Sequence, residues 1–266
     1  MTIHTVTINN IMVALVSVAL ILFVVALIVR GRWGLVSLSA GLFTGLAALA
    51  VVVNKDWLAA VDTTAASWAD KHRTDRRGEF AAGIWEYIGT PLHVLTVALV
   101  CGTLFSLWRR SPIPLMLVVG GVGVGVAVEE TLKATLHPHS FPSGHVTGTA
   151  TLFGMIAVCL AAGDSRLAKA AVGLLVAQTV AFVAALAVYT GAHTVTEVLG
   201  GMVLGAAISA LGAAVLDAST HRRAADRRKR VRTPARATDG GPPVSASPGH
   251  QEALGPGEIT RPIPRL

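Results

Sequence analysis

The stretch IMVALVSVALILFVVALIV, residues 11–29, runs for nineteen positions without a charge or a proline. A helix needs about 20 such residues to cross a hydrocarbon core roughly 30 Å thick, so this segment reads as a membrane span. It lacks the basic start and small-residue cleavage site of a signal peptide and its apolar run is too long for one, so a retained span is expected. Working outward, six more windows of the same kind follow, at about 34–53, 89–108, 112–136, 146–162, 167–190 and 195–216. Of the 266 residues, 53% are hydrophobic and only 14% charged, with a mean hydropathy of +0.62. That balance excludes an ordinary soluble domain and points to an all-α fold, a polytopic membrane bundle of about seven transmembrane helices.

The formal charge of +7 resembles a nucleic-acid signal until it is located: ten of the 22 basic residues lie after position 220. The run HRRAADRRKRVR, 221–232, precedes a Pro/Gly/Ser-rich stretch without periodicity, and 219–266 is expected to be a disordered cytoplasmic tail. Its expected partner is the anionic cytoplasmic leaflet, not nucleic acid. Arg30, Arg32, Arg109, Arg110, Arg166 and Lys169 mark alternate ends of the spans, which the positive-inside rule makes cytoplasmic. The N-terminus and the loops 54–88, 137–145 and 191–194 then lie outside. The expected location is a cell membrane, of the bacterial plasma-membrane kind. The segment 54–80, with Trp57 and Trp68 among mixed charges, suits an amphipathic stretch at the interface, either as an anchor or as a lid. Cys101 and Cys159 fall in separate apolar runs and offer no disulfide framework.

Ionisable groups beside spans are costly, which makes them functional candidates. Three clusters converge on the outer face. In EETLKATLHPH, 129–139, Glu129 and Glu130 stand four and three residues before Lys133, a spacing for ion pairs on one helix face. In SFPSGHVTG, 140–148, Ser143 suits an N-cap, Gly144 permits close backbone approach, and the head of the next helix is a ready anion site that His145 would face. In YTGAHTVTEVLGG, 189–201, His193 and Glu197 are four apart, so the carboxylate can hold one imidazole nitrogen and leave the other free.

A lysine upstream of Pro-Ser-Gly-His, followed some fifty residues later by Gly-x-His-x3-acid at the head of a span, resembles the type-2 phosphatidic acid phosphatase superfamily of membrane lipid phosphatases. The resemblance covers roughly 85–216. It implies a phosphatidic acid phosphatase type 2/haloperoxidase-like helical core over 85–218, with residues 1–84 adding two spans and the outer loop. It further implies metal-independent hydrolysis of a lipid phosphate, without a cofactor. His193 would attack phosphorus and Glu197 would orient it. His145 would protonate the leaving group, while Lys133, Ser143 and Gly144 hold the nonbridging oxygens.

Two arginines of the family pattern are replaced. His137-Pro138 and His139 stand where the first motif has Arg-Pro, and Ala187, after Leu186, stands six residues before His193. Neither lysine nor histidine reproduces a bidentate guanidinium clamp, although protonated His137 and His139 could supply charge to the phosphate. The residues therefore also admit a relative that binds lipid phosphate without hydrolysing it. A zinc site of His137, His139, His145 and His193 is opposed by the nearby Lys133. A transporter rests only on the number of spans, since the GGVGVG run, 120–125, is explained by close helix packing. Which lipid is the substrate, and the oligomeric state, stay open.

Overall fold

The structure is a computed structural model that describes residues 2–136, 140–161 and 165–232. Among them the chain is entirely helical outside its turns: α1 (Thr2–Ile28), α2 (Arg32–Val52), α3 (Asp56–His72), α4 (Asp75–Tyr87), α5 (Pro91–Arg109), α6 (Ile113–Thr135), α7 (Gly144–Ala161), α8 (Arg166–Thr190) and α9 (Val195–Arg232). Seven of these contain a stretch long and apolar enough to cross a membrane, all but α3 and α4. The predicted spans agree with them to within a few residues. Leu27 is 85% exposed and Leu167 81%, so the bundle turns large apolar side chains outward, as lipid-facing helices must. The chain is a multi-pass membrane protein.

Among the described residues, those up to Arg223 make a first compact unit and those from Ala224 on belong to a second. Within the first, α1 packs along α2, and α5, α6, α7 and α8 pack in succession, with α5 also against α7. The core is built from α2 (Leu46), α5 (Val94, Ala98), α6 (Val118, Val122), α7 (Leu152, Met155, Cys159) and α9 (Leu204, Ile208), together with Phe141 from the turn before α7. Ser39 Oγ donates to the Ala207 carbonyl at 2.8 Å, tying α2 to α9. Gly121 and Gly125 let α6 approach Met155 and Thr151 of α7, the packing expected of that glycine run, whereas Gly120 and Gly123 face open space.

Two regions differ from the sequence reading. The outer segment forms two helices, α3 and α4, both of which pack on α8. At the other end α9 continues as helix to Arg232, so disorder does not begin at 219. Alanine and the basic residues of 221–232 are good helix formers, and a helix already nucleated by the span extends through them at little cost. Residues 233–266 lie outside the described residues.

Candidate active site

The heads of α7 and α9 meet at one end of the bundle. Ser143 N donates to the Glu197 carbonyl at 2.9 Å, which binds the turn before α7 to the first turn of α9. Around this junction is a cavity of about 290 Å³. Its polar lining is Glu129, Glu130 and Lys133 from α6, His145 from α7 and His193 from the turn before α9, with Val94, Val122 and Val126 below. Three clusters far apart in sequence thus share one cavity.

The α9 head is built by a capping box, Thr194-Val195-Thr196-Glu197. Glu197 N donates to Thr194 Oγ1 at 3.3 Å and Thr194 N donates back to Glu197 Oε2 at 3.2 Å. The same oxygen lies 2.9 Å from His193 Nδ1. A carboxylate only accepts, so a ring proton sits on Nδ1, and in the neutral imidazole the lone pair is on Nε2. Glu197 is buried, and its other oxygen accepts from Ser140 Oγ. One carboxylate therefore caps the helix and fixes the imidazole tautomer.

Lys133 pairs with Glu129 and, at 3.5 Å, with Glu130, as the helical spacing predicts. Glu129 is buried and its carboxylate lies against Gly144, where any Cβ would collide with it. A Cβ at Gly89, whose φ of +81° is a conformation L side chains rarely adopt, would lie 3.0 Å from the His145 Cβ. Both glycines are required by close approach, one to each wall of the cavity.

Ser143 occupies the N-cap position of α7, and its carbonyl accepts from Thr147 N at 2.9 Å. Its hydroxyl does not cap. Ser143 is fully buried, and its Oγ has no hydrogen-bond partner among the described residues. The first N–H groups of α7 also lack intrahelical acceptors, as at any helix head. His137 and His139 lie outside the described residues.

The rings of His145 and His193 are 6.5 Å apart, close enough for one phosphoryl group to lie within reach of both. Trp85 of α4 stacks on His145 at 4.3 Å and meets His193 edge-on at 6.0 Å, so a single indole fixes both imidazole planes. The sequence reading missed it because nothing local links residue 85 to either histidine. It also missed Ser140 and Thr194, although the Thr-x-x-Glu box was visible as a helix start. Ala187 is fully buried in an apolar cluster with Val146, Val183 and Val198, against which Trp85 packs. The space near the absent guanidinium is thus apolar and filled.

Among the described residues no three His, Cys, Asp or Glu side chains converge as metal ligands. The groups available are an imidazole held by a carboxylate, a second imidazole, one ammonium and a helix head.

Comparison with known proteins bears on the family and the fold. No curated protein matches the sequence. The fold is similar to the crystal structure of the first transmembrane PAP2 type phosphatidylglycerolphosphate phosphatase from Bacillus subtilis, with a TM-score of 0.57 at 24% identity, over 70% of this chain and 96% of that one. Residues 85–220, which carry Lys133, the Pro-Ser-Gly-His turn and the His193–Glu197 pair, match the family model described as PAP2 superfamily, and the chain belongs to that superfamily.

Proposed function

We propose that the protein is a lipid phosphate phosphatase that cleaves a phosphomonoester or diphosphate lipid, of phosphatidate or polyprenyl phosphate type, at the extracytoplasmic face. Family membership supports a phosphatase-type function. The observation that carries the reading is the His193–Glu197 contact at 2.9 Å, which occupies Nδ1 and leaves Nε2 as the ring nitrogen available to a substrate in the cavity that His193 shares with Lys133 and His145. In the first step the Nε2 lone pair forms a bond to the terminal phosphorus while the bond from that phosphorus to the lipid oxygen breaks. When the substrate is a diphosphate, the bond that breaks is to the bridging oxygen, which leaves with the lipid monophosphate. Protonated His145 gives its proton to that leaving oxygen. In the second step His145 takes a proton from water, the water oxygen attacks phosphorus, and the P–N bond breaks to release inorganic phosphate. Glu197 stabilises positive charge on His193 throughout, and Lys133, Ser143 and the Gly144 amide hold the equatorial oxygens. Neither step needs a metal ion.

The apolar lower wall of Val94, Val122 and Val126 suits a lipid whose headgroup sits between the histidines. The same reading keeps the N-terminus outside and the basic run 221–232 at the anionic cytoplasmic leaflet, as the distribution of arginines and lysines supports.

A second reading is favoured by one observation: Lys133 is paired with two carboxylates, and Ala187 supplies no guanidinium to offset them. On that reading the site binds lipid phosphate without cleaving it. Phosphate release by the purified chain in detergent, with EDTA present and a panel of lipid phosphates, separates the two. The phosphatase reading expects release that His193→Ala and His145→Ala each suppress. Wild type no faster than either variant, with lipid phosphate still bound, establishes the second reading instead.

A further inference from the structure

Helix α3 precedes the residues that match the family and carries no part of the proposed chemistry, yet it holds the segment bearing His193 at both ends. Asp62 Oδ1 accepts from Thr196 N at 3.0 Å and from Thr196 Oγ1 at 3.0 Å. Thr196 is fully buried and stands between the capping residue Thr194 and Glu197. Asp62 therefore supplies a second cap to α9 from outside its own helix, and a carboxylate is favoured at that end of the helix dipole. At the other end of the segment Arg73 Nη1 donates to the Thr190 carbonyl at 2.9 Å, where the last carbonyls of α8 carry partial negative charge. Tyr189 Oη donates to the His72 carbonyl at 3.3 Å. Between these ties lie only residues 191–195, with His193 in the middle. A cavity of about 210 Å³ is lined by Asp62 together with Ser140, His193 and Glu197.

We propose that Asp62 is a positioning residue: by hydrogen-bonding Thr196 it fixes the head of α9, and through it the register in which Glu197 holds His193. The outer segment is on this account part of the catalytic frame, not only an interfacial anchor. The proposal rests on the phosphatase reading for the purpose of the frame, and not for its existence. A misplacement of about 1 Å at a nucleophile costs on the order of a hundredfold in rate, which sets the expected size of the effect.

The test uses the full chain in detergent and two readouts. The first is kcat and KM for phosphate release. Asp62→Ala is expected to lower kcat by roughly 10- to 100-fold with KM within about twofold of wild type. Asp62→Asn keeps an acceptor oxygen and is expected to restore most of kcat, and Thr196→Val, which removes one of the two bonds, to fall between. The second is the imidazole nitrogen NMR spectrum of histidine-labelled protein, with His193 assigned by its loss in His193→Ala. Wild type is expected to show one tautomer with the proton on Nδ1, and Asp62→Ala a mixture. An Asp62→Ala enzyme with wild-type kcat and a single tautomer overturns the proposal, as does Asp62→Asn behaving like Asp62→Ala. If Asp62→Ala fails to fold, the Asn and Val variants decide by the same criteria. If wild type releases no more phosphate than His193→Ala, the phosphatase reading fails, and the tautomer spectrum still decides the role of Asp62.

Discussion

The heads of α7 and α9 stand side by side and each brings one histidine to the cavity, but they are finished in opposite ways. At the α9 head every polar side chain has a partner: Thr194 and Glu197 cap each other, Asp62 caps Thr196, Ser140 takes the second carboxylate oxygen, and Glu197 holds His193. At the α7 head Ser143 is as deeply buried, and its hydroxyl has no partner among the described residues. Buried polar groups are ordinarily satisfied, so an orphan at a helix head asks for an explanation. The contrast fits a division of labour in which one head fixes a nucleophile before substrate arrives and the other is completed by the substrate's oxygens.

The largest expected effect comes from breaking the fixed head without unfolding it. Glu197→Gln retains a capping-box residue and so is expected to leave thermal stability near wild type, while phosphate release falls by about 10²- to 10⁴-fold because the imidazole loses its anionic partner. Equal loss of stability and activity would mean that Glu197 serves only the helix. His145→Ala on the open head follows, with a loss of about 10²- to 10⁴-fold in kcat, the range of a general acid. A loss confined to KM would assign His145 to binding instead.

Ser143→Ala sharpens the comparison most. Removing an unpartnered hydroxyl costs no hydrogen bond in the free protein, so its melting temperature is expected to match wild type, whereas KM rises about tenfold through loss of one bond to a charged oxygen. A marked drop in melting temperature would show that the hydroxyl already has a partner. The smallest effect is expected for Thr194→Ala. One of several ties at the α9 head is lost, for about 1 kcal/mol of stability and a modest change in kcat.

Much of this was legible in the sequence because it rests on local rules. Hydropathy located the spans, helical spacing paired Lys133 with Glu129, and the same spacing paired His193 with Glu197. What escaped depends on contacts between residues distant in the chain. Asp62 and Thr196 are 134 positions apart, and nothing about an aspartate among mixed charges marks it as a cap for another helix. Trp85 is similar: its neighbours are acidic and apolar, and only the packing of α4 on α8 sets it against both histidines. Ser143 shows the reverse difficulty. Its place before α7 was readable, but that its hydroxyl leaves the helix uncapped is a property of the folded turn. The meaning of Ala187 also changed. As a sequence position it marks an absent arginine, and in the fold it is part of a closed apolar cluster, so restoring arginine there requires repacking the neighbours of Trp85.

The proposed chemistry requires that His193 become covalently phosphorylated during turnover. Mixing the purified chain with lipid phosphate labelled in its phosphate, quenching in alkali within the first turnovers, and mapping the label by mass spectrometry tests it directly. An alkali-stable, acid-labile phosphate on His193 is expected, gained by wild type and not by His193→Ala. Steady release of phosphate with no label on His193, or the same release from His193→Ala, would contradict it.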